Sequence, residues 1–423
     1  MNRFSIFNHK YIMFHHLKKI RKAVYAILGI AVISIYVFSS CLNRQGQKEF
    51  SGVDRKKIEA VINNALSKDP SEHNTDWFGT MPLAGLLSWH KMGYYPEVKD
   101  YVLKWLDYHY ESHKTISDEE FHDRTSAGRC TVIRGYTLLL ALYCGYPGVN
   151  FVCGPLYQLT DNEIARQVCK DVGDLVLNKI PRNEMGLLHH DDHDLTRGFT
   201  IPDAAYFYVP ALFIAAKAYD KEVSEGDATA KEIQSKLIAD GCDQLKKFTD
   251  LFLDREKKIT KTIYRDGKLG ETYWTRANGW LLWTIVESVE YLDKNSEIYA
   301  YACDALDVIA QGISKYQDKS GAMRLLVNEE NTPLETTGTI FTAYGIHKAV
   351  RLGWIDKKYL DIAYKAWNYV DTQLDDDGNL SGCYFGWAIP AENRELNQFG
   401  NLKSAPGMLL TAGAEFAKSP IIN

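Results

Sequence analysis

Residues 271–283, "ETYWTRANGWLLW", set three tryptophans, Trp274, Trp280 and Trp283, around Arg276, Asn278 and one glycine. A helix start ordinarily carries a small capping residue such as Ser, Thr, Asp or Asn. Here Trp274, Arg276, Asn278 and Trp280 crowd the first turn with flat and polar groups instead. Aromatic faces suit the C–H faces of sugar rings, and the planar fork of arginine suits a carboxylate. A plainer reading stays open, in which the tryptophans are core and Arg276 pairs with a helix carboxylate.

Two further loci carry groups able to do chemistry. In "GFTIPDAAYFYVPALFIAAKAY", Asp203 follows Pro202 at the start of an apolar helix. It is either a first-turn acid favoured by the helix dipole or a carboxyl whose apolar neighbours raise its pKa, so that it holds and delivers a proton. Just before it, "LLHHDDHD" runs through His189, His190, Asp191, Asp192, His193 and Asp194. Zinc sites draw ligands from separated positions, and a calcium loop needs its own glycine and a distal glutamate, so no metal is expected. In "PLETTGTIF", Glu335 to Thr339 are small or polar at another helix start. Capping explains part of that choice, and Gly338 admits a close neighbour.

The elements that hold these loci are helices. Apolar residues recur at three and four spacing in nearly every long segment. About twelve helices are expected, near 54–67, 80–91, 95–113, 129–145, 161–178, 201–219, 228–253, 276–294, 296–316, 336–352, 357–373 and 405–418. Short turns recur between them at Gly186, Gly321 and Gly378, and Lys258 occupies the same slot without a glycine. Paired helices at a long, irregular period point to a ring of hairpins, an all-α (α/α)6 barrel, rather than an open solenoid of shorter repeats. The long loops then gather at one end, where several hairpins can share a pocket.

The chain of 423 residues with net charge −5 has no basic footprint for nucleic acid. At its start, "HHLKKIRK" precedes an apolar run, Ala23–Phe38, and then "FSSC". This is the pattern of a lipoprotein signal in which Cys41 is lipidated after cleavage. The expected division is a signal over 1–40, a tether over 41–50 and one domain over 51–423, with the protein anchored by lipid in the cell envelope. The other cysteines are widely spaced; Cys144 and Cys153 are a candidate disulfide pair.

In this order, Asp203, "WTRANGW" and "ETTGT" resemble the motifs of glycoside hydrolase families 105 and 88, the unsaturated rhamnogalacturonyl and glucuronyl hydrolases. The likeness runs from about Gly128 to the C-terminus. It implies release of a 4,5-unsaturated uronic acid from the end of a lyase-generated oligosaccharide, by hydration of the double bond and without a cofactor. Asp203 would be the proton donor. His189, Trp274, Arg276, Asn278 and Trp280 would bind substrate. Two positions depart from the families: Thr131 falls where a second pocket aspartate is usual, with Asp123 as a nearby substitute, and Thr262 falls near a usual histidine. A non-catalytic oligosaccharide-binding lipoprotein, or a sugar epimerase or lyase on the same toroid, is the alternative.

Overall fold

The structure, a computed structural model, describes residues 55–125, 128, 130–192, 199–386 and 398–418. The expected signal, the tether and Cys41 lie outside the described residues. Contacts divide the chain into Gly52–Lys418 and a unit of the two termini, Met1–Ser51 with Ser419–Asn423. The architecture below belongs to Gly52–Lys418. Among the described residues no helix is long and apolar enough to cross a membrane.

Helix α1 (Arg55–Leu66) leads into α2 (Trp77–His90), α3 (Glu97–Ser112) and the short α4 (Asp118–Arg124). Strands β1 (Val132–Ile133) and β2 (Leu140–Ala141) precede α5 (Asn150–Thr160) and α6 (Glu163–Asn178). Next come α7 (Pro202–Lys217), the short α8 (Asp220–Ser224) and the long α9 (Ala228–Phe252). β3 (Leu253–Asp254) pairs with β4 (Ile259–Thr260), and β5 (Tyr264–Arg265) with β6 (Lys268–Leu269). After these, α10 (Thr275–Val289) and α11 (Glu297–Tyr316) form the next helix pair. β7 (Met323–Arg324) pairs with β8 (Leu334–Glu335) ahead of α12 (Thr336–Arg351) and α13 (Leu360–Gln373). β9 (Cys383–Tyr384) pairs with β10 (Phe399–Gly400) ahead of α14 (Ala405–Ala417).

Burial sorts the helices into two rings. In α10, Thr275 to Val286 is buried without a break, and so is Thr336 to Val350 in α12. Helices covered on every side belong to an interior. Outer α6 instead buries one stripe, Ala165, Val168, Cys169, Val172, Leu175 and Val176. The inner helices α2, α5, α7, α10, α12 and α14 touch in that order, and α14 returns to α2. This is the (α/α)6 toroid, with α1, α3, α6, α9, α11 and α13 outside. The turn slots match as well. Gly186, Gly321 and Gly378 have φ of 76°, 92° and 81°, and Lys258 holds the same left-handed conformation at 65°.

One expected helix is absent. In place of the helix expected near 129–145, the described residues 130–145 hold the antiparallel β1–β2 hairpin, with Val132 opposite Ala141 and Ile133 opposite Leu140. Thr131, Val132 and Ile133 are β-branched and favour the extended chain, and Gly135 turns it with φ of 96°. The inner helix is α5 instead, which the sequence conceals behind Gly154 and Pro155. A Cβ on Gly154 would lie 2.6 Å from Ile214 Cγ2, so that glycine serves contact with α7. The disulfide expectation also fails: Cys144 and Cys153 are both buried free thiols.

Candidate active site

Asp203 sits in the first turn of α7, directly after Pro202, whose fixed φ suits the first helical position. The segment before it is held on both sides. Thr200 N donates to Tyr264 O at 2.9 Å, Tyr264 N donates back at 3.0 Å, and Thr200 Oγ1 donates to Leu188 O at 3.0 Å. Phe199, Ile201 and Ile263 pack together beneath. Asp203 therefore enters, from a rigid position, a small cavity of about 40 Å³. Its Oδ1 is buried and has no hydrogen-bond partner. Burial raises the pKa of its carboxyl, and the charges of His190 and Arg276 act against that rise. Trp280 also favours the ionised form, although neither Trp280 Nε1 nor Asp203 Oδ1 completes a hydrogen bond of normal geometry.

Arg276, Trp274 and Trp280 line the same cavity from α10. Arg276 is 4% exposed and makes no ion pair among the described residues. Nη1 donates to Tyr384 O, Nη2 donates to Gly386 O at 3.1 Å, and the guanidinium lies 4.1 Å from the Trp274 ring centroid. No further acceptor for the guanidinium is found among the described residues. Trp280 packs among Tyr206, Phe207 and Phe341 at 4.8, 5.4 and 4.6 Å between ring centroids. Trp274 backs onto Ala277, Leu325, Leu326 and Tyr384. Both tryptophans are thus core on one side and cavity wall on the other. Their Nε1 atoms, and that of Trp77, are buried donors without partners.

Four expectations move. His190, not His189, lines the cavity. Adjacent residues of an extended segment face opposite ways, and Leu188 and Asp191 are both in bridge pairs. His190 Nδ1 lies 3.1 Å from Asp191 Oδ2, whereas the charge of His189 acts on Glu184. Asn278 is a clamp rather than a cavity residue: Oδ1 accepts from Thr260 N at 2.6 Å, and Nδ2 donates to Thr260 O and Trp274 O at 3.0 and 2.9 Å. Thr131 is not at a helix start; its backbone N–H donates to the Asp192 carboxylate at 3.1 Å. Asp123 is exposed on α4 and away from the cavity. His193 and Asp194 lie outside the described residues.

Sequence reasoning missed Trp77, Tyr143, Cys144 and His190. Tyr143 and Cys144 approach α5 in the stretch where a second aspartate was sought, and residues 143–150 contain no acid. Trp77 opens α2 behind Asp76, which caps that helix through Phe78 N at 3.0 Å and Gly79 N at 3.3 Å. The acid-cap-plus-tryptophan signal "TDWFGT" was available in the sequence. Thr262 is structural: its Oγ1 donates to Thr272 O and accepts from Trp274 N, both at 2.9 Å. Glu335 caps α12, accepting from Thr337 N at 3.1 Å and Gly338 N at 2.6 Å. Gly338 does admit a close neighbour, since a Cβ there would lie 2.2 Å from Thr275 Oγ1.

Comparison with known proteins extends over the same region. The sequence model of Glycosyl Hydrolase Family 88 matches residues 53–419. The unsaturated rhamnogalacturonyl hydrolase YesR of Bacillus subtilis (strain 168) is 21% identical over 347 residues, covering 79% of this chain and 87% of YesR. A possible member of the GH105 family from Klebsiella pneumoniae superposes with a TM-score of 0.68 at 17% identity, over 86% of this chain and 94% of its own. The unsaturated glucuronyl hydrolase of Bacillus sp. GL1 superposes with a TM-score of 0.57 at 14% identity, over 87% and 95%. At these identities the structural likeness speaks for the fold.

Proposed function

The chain belongs to Glycosyl Hydrolase Family 88, and from that premise we propose that this glycoside hydrolase removes a 4,5-unsaturated uronic acid from the non-reducing end of lyase-generated oligosaccharides. The observation that carries the reading is Asp203, a buried carboxyl whose pKa burial raises, sharing one cavity with an arginine that makes no ion pair among the described residues. Hydration of an enol ether needs a proton on carbon, and an acid whose pKa is raised by burial is the group suited to supply it. Asp203 delivers its proton to C4. The positive charge that develops at C5 is shared with the ring oxygen, water adds there, and the Asp203 carboxylate takes the proton that the water gives up. The hemiketal so formed opens and expels the neighbouring saccharide.

Arg276 binds the uronate carboxylate through its remaining N–H groups. Trp274 and Trp280 wall the sugar ring, and the unpartnered indole N–H groups of Trp77, Trp274 and Trp280 offer donors to ring oxygens. His190, held by Asp191, is the cavity histidine in place of His189. The test is to incubate the protein with unsaturated oligosaccharides from several lyases while following the ultraviolet absorbance of the double bond. Loss of absorbance supports hydrolysis. Binding without loss indicates a carbohydrate-binding protein, and a rise on saturated polymer indicates a lyase.

The protein is further proposed to be a cell-envelope lipoprotein anchored through Cys41, on the strength of the basic, apolar and "FSSC" sequence. Metabolic labelling with a fatty acid is expected to mark the wild type and to miss Cys41→Ser. An unlabelled wild type contradicts the anchor.

A further inference from the structure

The position of Glu335 is hard to explain by capping alone. Glutamate is a poor residue for the cap position compared with Ser, Thr, Asp or Asn, yet it stands there fully buried, with no basic partner within ion-pair distance among the described residues. A buried carboxylate so placed needs several donors. It has them in Thr337 N at 3.1 Å, Thr337 Oγ1 at 2.6 Å and Gly338 N at 2.6 Å. A further donor is not part of the cap. Tyr384 N, on strand β9, donates to Glu335 Oε1 at 3.0 Å. The same strand is fastened once more to the helix start, where Thr336 N donates to Gly382 O at 2.9 Å.

Tyr384 and Gly386 are also the residues whose carbonyls receive the Arg276 guanidinium. One buried acidic side chain and one buried arginine, without direct contact, are therefore joined by the backbone of Tyr384–Gly386, which runs from β9 into the residues after it. Burial lowers the pKa of Arg276, and Glu335 followed by Asp203 acts against that fall. We infer that Glu335 is a positioning residue: it fixes β9 so that the Tyr384 and Gly386 carbonyls aim Arg276 at the substrate carboxylate. The inference rests on the reading above that Arg276 binds a uronate.

Glu335→Asp separates capping from positioning. Aspartate is a good cap, but its shorter side chain cannot keep Thr337, Gly338 and Tyr384 N–H groups together. Binding of an unsaturated uronyl disaccharide is measured by calorimetry with all proteins in the non-turning Asp203→Asn background. Positioning predicts about tenfold weaker binding for Glu335→Asp in a protein that remains folded at the temperature of the titration. It also predicts little additional loss when Glu335→Asp is combined with Arg276→Lys, because the two act as a unit. Unchanged affinity for Glu335→Asp, or a full further loss in the Arg276→Lys background, overturns the inference. If Glu335→Asp fails to fold, Thr337→Val, which removes a cap bond without touching β9, must bind as the parent does; weaker binding there overturns it too. Wild-type turnover on the same disaccharide is run alongside. Binding that depends on Arg276 and Glu335 without any turnover overturns the hydrolase reading and leaves the positioning role standing. A disaccharide that does not bind overturns both.

Discussion

The proposed reaction uses Asp203 in its protonated form, and burial disfavours its ionisation, which has a consequence for stability. A carboxyl whose folded-state pKa lies above its unfolded value, here 3.8, contributes stability at acid pH that is lost as pH rises through the folded value. The wild type is therefore expected to lose stability over that range, and Asp203→Asn, which cannot ionise, to melt higher than wild type at neutral pH. Thermal melts of both proteins from acid to neutral pH check this; equal melting temperatures throughout would show that burial does not perturb the group. At this scale the sequence made part of the site legible. Asp203, Trp274, Arg276 and Trp280 stand out because each is an unusual residue for a helix start. His190 was missed by one position because nothing in a run of polar residues shows which way an extended chain alternates. Asn278 has the same character as its neighbours in the sequence, and only the proximity of Thr260 reveals it as a backbone clamp. Tyr143 and Cys144 lack any local mark of function.

Among the elements, the approach of α10 to α12 decides how the cavity wall stands. Gly279 belongs to the "WTRANGW" stretch, and a Cβ there would lie 2.1 Å from Phe341 Cδ2, in the ring that also packs on Trp280. Alanine favours a helix over glycine by about 1 kcal/mol, but the ring of Phe341 has buried neighbours and no free space to enter. Overpacking therefore wins, and Gly279→Ala is expected to cost about 1–3 kcal/mol, read as a lower denaturant midpoint. A midpoint at or above the wild type's would mean that the two helices are not in close contact. Most helices were legible because inner and outer ones differ in apolar periodicity, which survives without knowledge of neighbours. The 129–145 segment failed because Leu138 to Ala141 is apolar without a clear period, and a short apolar run does not distinguish strand from helix. Thr131, the position expected to match a second pocket aspartate, accordingly lies beside this hairpin and not at the start of α5. Lys258 shows the opposite case, a turn identified by position alone and found in the left-handed conformation without glycine.

At the largest scale, the inner helices of Gly52–Lys418 close into a ring, and closure has its own chemistry. Glu415 on α14 is completely buried and meets α12 through His347 Nδ1 at 3.2 Å and Arg351 Nη2 at 2.9 Å, with Lys418 Nζ at 3.1 Å. These partners overcome its burial and lower its pKa to about 2. A carboxylate with a depressed folded-state pKa contributes stability above its ordinary value of 4.5 that is lost as pH falls towards about 2, the opposite sign to Asp203. Glu415→Ala removes a fully buried carboxylate together with its bonds to His347 and to the part-exposed Arg351 and Lys418, and is expected to cost about 1–3 kcal/mol at neutral pH and to remove that part of the acid dependence. A small loss in urea melts would mean that ring closure depends on apolar packing alone. The ring itself was legible because helix pairs at a long period have few ways to cover their apolar faces. Its purpose is to bring helix starts far apart in sequence, those of α2, α7 and α10, to one cavity, and that purpose is tested most directly by turnover. With an unsaturated oligosaccharide, double-bond absorbance and released saccharide are followed together for the wild type and Asp203→Asn. The account predicts that the wild type consumes one double bond for each saccharide released, and that Asp203→Asn still binds but turns over at least about a hundredfold more slowly. Near wild-type turnover by Asp203→Asn, or saccharide release with the double bond intact, would contradict it.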